Sequence, residues 1–415
     1  MRIFKFGGAS VKDAEGVKNL VRVLDLVGYE NTLVIVSAMG KTTNALEKVI
    51  SNYFSKKKEL QSSIQDIKKF HNAILLDLFD NENHPVFKII SSFFNELSIF
   101  FERNKSPDYN FVYDQVVGFG ELVSTTIISQ YLSHVGMKNN WLDVRDLIKT
   151  DNFHRNAKVD WDKTKQTIST INKNILNITQ GFLGSDNNNF TTTLGREGSD
   201  YTAAIFAYCL NAESVTIWKD VPGILNADPR YFENAQLLNQ ISYREAIELA
   251  FYGASVIHPK TLQPLQRKEI PLFVKSFLNP KDNGTCVGKG IDLHPKTPCF
   301  IVKKDQVLIS LSSLDFSFIV EENISEIFNL LHFYKMKVDV IQNSAISFSV
   351  CIDNNYNNLE KLLLHLKAKF KVTHHENVSL YTIRHYDEKS IQNLEKNKTV
   401  LLKQLYQETV QIVTK

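Results

Sequence analysis

Short apolar or alternating runs, each followed by a longer stretch with apolar positions three and four apart, recur through the first two thirds of the chain. The runs Arg2 to Phe6, Thr32 to Val36, Trp141 to Val144, Ile175 to Gly181, Ser214 to Trp218 and Leu272 to Ser276 predict strands. Between them, the spacing predicts helices over Gly16 to Val27, Thr42 to Phe54, Tyr109 to Val135, Ser199 to Leu210 and Ser242 to Phe251. Such alternation indicates an α/β fold, an αβα sandwich on a largely parallel sheet. Ligands of these sheets collect at the carboxyl ends of the strands, where Lys5, Ser37, Gly181 and Lys219 would sit. Residues 56–106 interrupt the alternation with a long polar, helical stretch, read as a helical excursion or lid.

The rest of the chain follows another rhythm. Asn279 to Pro298, with three prolines and three glycines, reads as a linker. Beyond it, Gln306 to Leu311, Lys337 to Ile341 and Ile346 to Ile352 read as strands, and Ile319 to Phe333 and Leu359 to Phe370 as helices, with Val372 and Thr373 opening a last strand. This β-α-β-β-α-β order is a ferredoxin-like unit, α+β in class. A strand over Val378 to Arg384, a short helix and strands at Val400 to Leu405 and Thr409 to Val413 suggest a second, shortened copy. The expected domains are therefore 1–285, 300–375 and 376–415. No glycine occurs after Gly290, so the tail lacks the permissive turns through which backbones approach phosphate.

Composition narrows the function classes. With 415 residues, 43% hydrophobic and 22% charged, the chain suits a protein of two or three domains. A net charge of +3 argues against nucleic acid as a partner, and Lys56-Lys57-Lys58 reads as a solvated helix face. No apolar run is long enough for a membrane span, and the first strand leaves no room for a signal peptide, so a cytoplasmic location is expected. Cys209, Cys286, Cys299 and Cys351 have neither disulfide-scaffold nor zinc-ligand spacing. The adjacent His374 and His375 would face opposite sides of a strand, and no protein metal site is expected.

Three segments carry candidate chemistry. Lys5-Phe6-Gly7-Gly8-Ala9-Ser10 places a lysine and two glycines at a strand-to-helix junction, where backbone N–H groups and a helix dipole suit a phosphate; Ser10 could cap the helix. Taken alone, this is also the pattern of a plain tight turn. It is not a Walker A loop, because Gly40-Lys41-Thr42 is preceded by Ile35 where the first glycine belongs. The second segment, Thr191 to Asp200, gathers hydroxyl and N–H donors at a helix start, with Arg196 able to clamp a carboxylate; a helix cap by Ser199 and Asp200 would use the same residues. The third, Trp218 to Arg230, turns at Pro222-Gly223 and at Asp228-Pro229, and presents carboxylates and an arginine on a long loop.

In this order the three segments resemble the amino-acid kinase family, and the aspartokinases in particular. The likeness continues through Val36-Ser37-Ala38-Met39-Gly40-Lys41-Thr42-Thr43-Asn44, Gly118-Phe119-Gly120-Glu121, Gly253 to Pro259 and Val274-Lys275-Ser276-Phe277. The C-terminal region is similar to the paired ACT domains of those enzymes. The resemblance implies ATP-dependent phosphorylation of the β-carboxylate of L-aspartate, with magnesium carried by ATP. It implies Lys5 and Asp200 as catalytic residues, with Asp200 holding Lys5, and the Gly7 and Gly8 amides as phosphate-binding groups. Arg196 would pair with a substrate carboxylate, Glu121 would lie near the ammonium, and Ser37 and Thr43 would hydrogen-bond the rest. Lys219, Asp220 and Arg230 match the nucleotide loop, the ACT region could take an amino-acid effector, and a homodimer is expected.

The chain departs from the family pattern at five positions. Ala9 replaces a common threonine, Glu197 the second residue of Gly-Arg-Gly-Gly, Leu225 an aromatic near adenine, Ser255 a lysine of some members, and Ala345 a glutamate that lysine-inhibited members can carry. Two other readings are a different amino-acid kinase, acting on glutamate or acetylglutamate, and a catalytically dead amino-acid-sensing ACT protein. Retention of Lys5, Glu121, Arg196 and Asp200 together favours an active kinase.

Overall fold

The computed structural model describes residues 1–55, 57–254, 257–315 and 317–415; Lys56 of the lysine run and Ser255 among the departures lie outside the described residues. They form two compact units. One comprises Met1–Ile224, Leu237–Ile247 and the segment ending at Leu293; the other comprises Leu225–Gln236, the segment starting at Glu248, and His294–Lys415.

The strands of the first unit are β1 (Arg2–Phe6), β2 (Thr32–Val36), β3 (Asn139–Leu142), β4 (Leu176–Gln180), β5 (Leu183–Ser185), β6 (Thr191–Thr193), β7 (Ser214–Lys219), β8 (Gln240–Ser242), β9 (Leu272–Ser276) and β10 (Thr285–Gly288). Eight make one sheet in the order β3-β4-β2-β1-β7-β9-β10-β8, parallel throughout except for β9 against β10; β5 and β6 form a separate hairpin. β1 lies between β2 and β7, so its carboxyl end faces the loops that follow both. The strand β2, Thr-Leu-Val-Ile-Val, is buried at every position, as a central parallel strand covered on both faces must be.

The helices are α1 (Ala14–Val27), α2 (Thr42–Ser55), α3 (Leu60–Leu78), α4 (Pro85–Arg103), α5 (Tyr109–Val117), α6 (Phe119–His134), α7 (Val144–Leu147), α8 (Trp161–Ile168), α9 (Gly198–Leu210), α10 (Tyr243–Tyr252, which runs across the unit boundary) and α11 (Pro259–Lys268). α1 is amphipathic, with Val17, Leu20, Val23 and Leu24 buried. The cap expected from Ser10 is supplied by Asp13, whose carboxylate accepts from Gly16 N; the Ser10 hydroxyl donates instead to Trp218 O at 3.4 Å. Arg2 donates to Val27 O and Gly28 O, satisfying carbonyls at the far end of α1. α9 differs: all of it but Tyr201 and Tyr208 is buried, and it packs on β1, β2 and β7.

Several expectations shift. The single helix over Tyr109 to Val135 is two helices meeting at Gly118, where a Cβ would stand 3.1 Å from both Leu183 methyl carbons. The third strand lies two residues earlier than expected and ends at Leu142, because Asp143 turns to cap α7. Residues 56–106 supply α3 and α4, whose Ile64, Ile67, Leu75, Ile90, Phe94 and Leu97 join the main core, so this excursion is built into the fold. The segment read as a linker contains β10, which completes the sheet.

The second unit is a six-stranded antiparallel sheet. Its strands are β11 (Cys299–Ser312), β12 (Val338–Asn343), β13 (Ser347–Ile352), β14 (Lys371–Arg384), β15 (Val400–Tyr406) and β16 (Thr409–Thr414), in the order β12-β13-β11-β14-β16-β15, with helices α12 (Glu321–Phe333), α13 (Leu359–Lys367) and α14 (Glu388–Glu395). β11 and β14 pair over nearly their whole 14-residue lengths. The half of β11 from Val307 onward serves the first ferredoxin-like copy. Cys299 to Lys303, not foreseen as a strand, pairs with Leu380 to Arg384 and serves the second. All four cysteines are free thiols, and among the described residues no helix is long and apolar enough to cross a membrane.

Phe206 lies at the centre of α9 with none of its surface exposed. Phe206→Ala should cost about 3–5 kcal/mol. Trp141, Trp161 and Trp218 all lie in the first unit, so urea unfolding followed by tryptophan fluorescence reads that unit and should show its midpoint fall sharply.

Candidate active site

A cavity of about 500 Å³ opens in the first unit where the loops after β1, β2 and β7 meet the start of α9. The alternation of β1 puts Phe4 and Phe6 into the main core and Lys5 on the other face, toward α9. There Lys5 Nζ lies 2.7 Å from Asp200 Oδ1, with 11% of the lysine side chain and 5% of the aspartate side chain exposed. Asp200 stands in the first turn of α9, where a carboxylate also meets the positive end of the helix.

Of the two glycines after Lys5, Gly8 has a steric reason. A Cβ there would lie only 2.6 Å from Ala38 O, whereas one on Gly7 would make an ordinary contact at 3.4 Å with Lys5 Nζ. Gly8 O also accepts from Gly40 N at 3.0 Å, which ties the loop after β1 to the loop after β2. The expected helix dipole behind these glycines is displaced, since α1 starts only at Ala14; first-turn residues of α2, α6 and α9 line the cavity instead.

Gly120 packs equally tightly, as a Cβ there would stand 2.9 Å from Ala38 Cβ. This contact seats the start of α6 beneath the loop after β2 and presents Glu121 to the cavity. Glu121 is 3% exposed; Oε1 accepts from Ala38 N at 3.3 Å, and Oε2 has no hydrogen-bond partner. Burial pushes its carboxyl up to about 8, against the smaller opposing effects of the backbone N–H groups and of Lys5. An empty cavity at neutral pH thus holds Glu121 protonated, and a cation placed beside Oε2 would favour its ionised form.

The structure brings Lys5, Ser37, Thr43, Glu121, Arg196, Asp200 and Lys219 to this one cavity. Asp220 follows Lys219 at the exposed end of β7. Arg230 belongs to the second unit, where its guanidinium makes a bidentate pair with Asp228. Glu197 also lines the cavity; its φ of 54° is in the left-handed region, and its buried Oε2 lacks a hydrogen-bond partner. Among the described residues, no group of three or more His, Cys, Asp or Glu is arranged to hold a metal ion.

Sequence reading missed Tyr113, Arg155 and Phe182 as cavity residues. Tyr113 donates to Glu47 Oε1 at 3.2 Å, and burial pushes its phenol well up. Behind Arg155 lies the buried Asp114, which accepts from Arg155 N, His154 Nδ1, Thr193 N and Thr193 Oγ1; burial raises its carboxyl and these donors oppose the rise. No local motif marks Tyr113 and Arg155, because their partners Glu47 and Asp114 lie 66 and 41 positions away in sequence.

Residues 1–276 match the model of the amino acid kinase family. The chain is 32% identical over 347 residues to the lysine-sensitive aspartokinase 3 of Escherichia coli, covering 82% of this chain and 76% of the relative. It is 32% identical over 297 residues to a chloroplastic bifunctional aspartokinase/homoserine dehydrogenase of Arabidopsis thaliana, covering 69% of this chain but only 32% of that longer protein. Crystal structures of E. coli aspartokinase III superpose over the whole chain at 28% identity. The complex with lysine and aspartate gives a TM-score of 0.83 and covers 95% of that chain; the complex with aspartate and ADP gives 0.81 and 96%. The chain belongs to the amino acid kinase family, among the aspartokinases.

The raised carboxyl of Glu121 makes a stability prediction. A folded value near 8 against an ordinary 4.5 means that the folded protein keeps a proton which the unfolded chain releases. The resulting penalty is absent below about pH 4.5, grows as the pH rises, and is complete above about 8. Glu121→Gln, without ligand, should therefore melt above the wild type at about pH 8.5, with the difference shrinking toward about pH 5. Thermal scans at the two pH values check this; an equal difference at both would show that Glu121 does not titrate as described.

Proposed function

We propose that this chain is an aspartate kinase, which transfers the γ-phosphoryl group of ATP to the β-carboxylate of L-aspartate and so commits it to diaminopimelate, lysine, methionine and threonine. The observation that carries the reading is the buried Lys5–Asp200 pair at 2.7 Å, in one cavity with Arg196 and Glu121. The E. coli relative, crystallised with aspartate and with ADP, supports the choice of both substrates. Residues 1–285 would form the catalytic domain, and 300–375 and 376–415 the two ACT-like units.

In the reaction, a β-carboxylate oxygen attacks Pγ, the bond from Pγ to the bridging oxygen breaks, and ADP leaves with that electron pair. The nucleophile is already ionised and needs no general base. Lys5, held by Asp200, would offset the charge growing on the transferring group, and the Gly7 and Gly8 amides would face its oxygens. Arg196 would clamp a substrate carboxylate, Glu121 Oε2 would receive the ammonium, and Ser37 and Thr43 would hydrogen-bond the remainder. Within the first unit, Lys219 and Asp220 would serve the nucleotide.

The unpartnered Glu197 Oε2 suits magnesium brought in with ATP; Glu197 and Asp200 would supply oxygen donors, and the ion would neutralise phosphate charge. Lysine sensitivity of the E. coli relative supports an amino-acid effector at the ACT region. The edge strands β12 and β15 each leave one side unpaired in the sheet, which suits pairing of two chains as a homodimer.

Purified protein with ATP, magnesium and L-aspartate should yield aspartate hydroxamate when the acyl phosphate is trapped with hydroxylamine. Its absence from folded protein would sink the reading. Lys5→Ala should lower kcat by about 10²–10³ with a much smaller rise in the KM for aspartate, because the charge it offsets is greatest in the transition state. A change confined to KM would instead make Lys5 a ground-state binding residue.

A further inference from the structure

We propose that Arg155 is a second carboxylate-binding guanidinium of the acceptor site, sharing with Arg196 the non-reacting α-carboxylate of L-aspartate. The proposal rests on the aspartate-kinase reading and adds a specificity residue to it.

Arg155 and Arg196 both line the cavity, and neither guanidinium has an ion pair or hydrogen bond among the described residues. Lys5, another cation lining the cavity, is already engaged with Asp200. Instead of a carboxylate, Arg155 has aromatic neighbours. Its Cζ lies 4.4 Å from the centroid of Tyr113 and 5.9 Å from that of Tyr109. Stacking on a ring leaves the N–H edge of a guanidinium available for a planar anion.

The backbone at Arg155 is held in a conformation that its side chain does not favour. Its φ of 67° lies in the left-handed region, and its N–H donates to both oxygens of the fully buried Asp114 at 3.1 Å. Asp114 also accepts from His154 Nδ1 at 3.0 Å and from Thr193 Oγ1 at 2.8 Å, while Ala157 N donates to Thr193 O at 2.9 Å. The segment is thereby fastened to β6, which runs through Leu194 and Gly195 into Arg196. A Cβ on Gly195 would stand 3.3 Å from Arg155 O and 2.7 Å from Asn156 Oδ1, so the backbones bearing the two arginines touch. Backbone strain kept in place by several bonds marks a position that function selects.

The substrate has a matching feature. One carboxylate of aspartate must approach Lys5 and the phosphoryl group; the other only has to be recognised. Two guanidiniums converging on that second carboxylate would reject an uncharged isostere, because they would be left with an unpaired face.

The test uses the full chain with Arg155→Gly and Arg155→Lys. Glycine suits the positive φ, so Arg155→Gly should melt no lower than the wild type. It should raise the KM for L-aspartate about tenfold or more, as loss of a charged hydrogen bond does, and leave kcat and the KM for ATP nearly unchanged. The preference for L-aspartate over its α-amide, which keeps the reacting β-carboxylate, should fall by a similar factor, with Arg155→Lys intermediate. An unchanged aspartate KM and an unchanged preference, or a rise in the KM for ATP alone, would overturn the proposal while leaving the kinase reading intact. Calorimetric binding of L-aspartate is measured in parallel. If the wild type shows no turnover, the kinase reading falls, and equal aspartate affinity of wild type and Arg155→Gly would overturn this proposal as well.

Discussion

The first unit is organised around one buried ion pair. Lys5 and Asp200 are far apart in sequence, yet neither charge could be left alone in so dry a place; removing one partner of such a pair costs about 3–5 kcal/mol. Their meeting requires β1 to occupy the middle of the sheet and α9 to lie across it. It also requires glycine at position 8, where a Cβ would push apart the loops after β1 and β2. The parallel order, the buried character of α9 and Gly8 thus serve a single electrostatic demand.

The same demand sets the surroundings. Asp200 uses its charge on Lys5; among the described residues lining the cavity, Glu121 and Glu197 each have a carboxylate oxygen without a hydrogen-bond partner, and Arg155 and Arg196 have guanidiniums without an ion pair. Unpaired groups of both signs in a small cavity suit a zwitterionic ligand with extra negative charge. Glu197 carries a second cost, since its left-handed backbone would favour glycine. The position is strained and its charge unanswered, a combination expected where function outweighs local stability.

What could be read in the sequence was what depends on near neighbours. The β-branched run of β2, the spacing of α1 and the donors crowded into Thr191 to Asp200 were each visible in a short window. Their assembly into one cavity followed from resemblance, not from the pattern. What escaped depends on distant partners. Arg155 is an ordinary surface residue by composition, and only Asp114 and Tyr113, some 40 positions earlier, give it a place. β10 hid among prolines and glycines because three-residue pairings leave little periodicity, and the break at Gly118 reflects the side chain of Leu183. His71, fully buried with its imidazole pushed down to about 4, was equally silent: it bonds Ile67 O one turn back and approaches Thr42 at 3.5 Å.

The two long strands of the second unit bear on how that unit could be divided. β14 extends from Lys371 to Arg384, and β11 lies against it from Cys299 to Ser312 with shifts of register near Gln306. A cut at residue 376 falls at the register shift between His375 and Val378, with ladder on both sides of it, and a chain ending at that point would lose the partner of Cys299 to Lys303. The two ferredoxin-like copies share their central rails. Swapping one for a sensor from another protein would therefore mean replacing both, with the splice placed before Cys299.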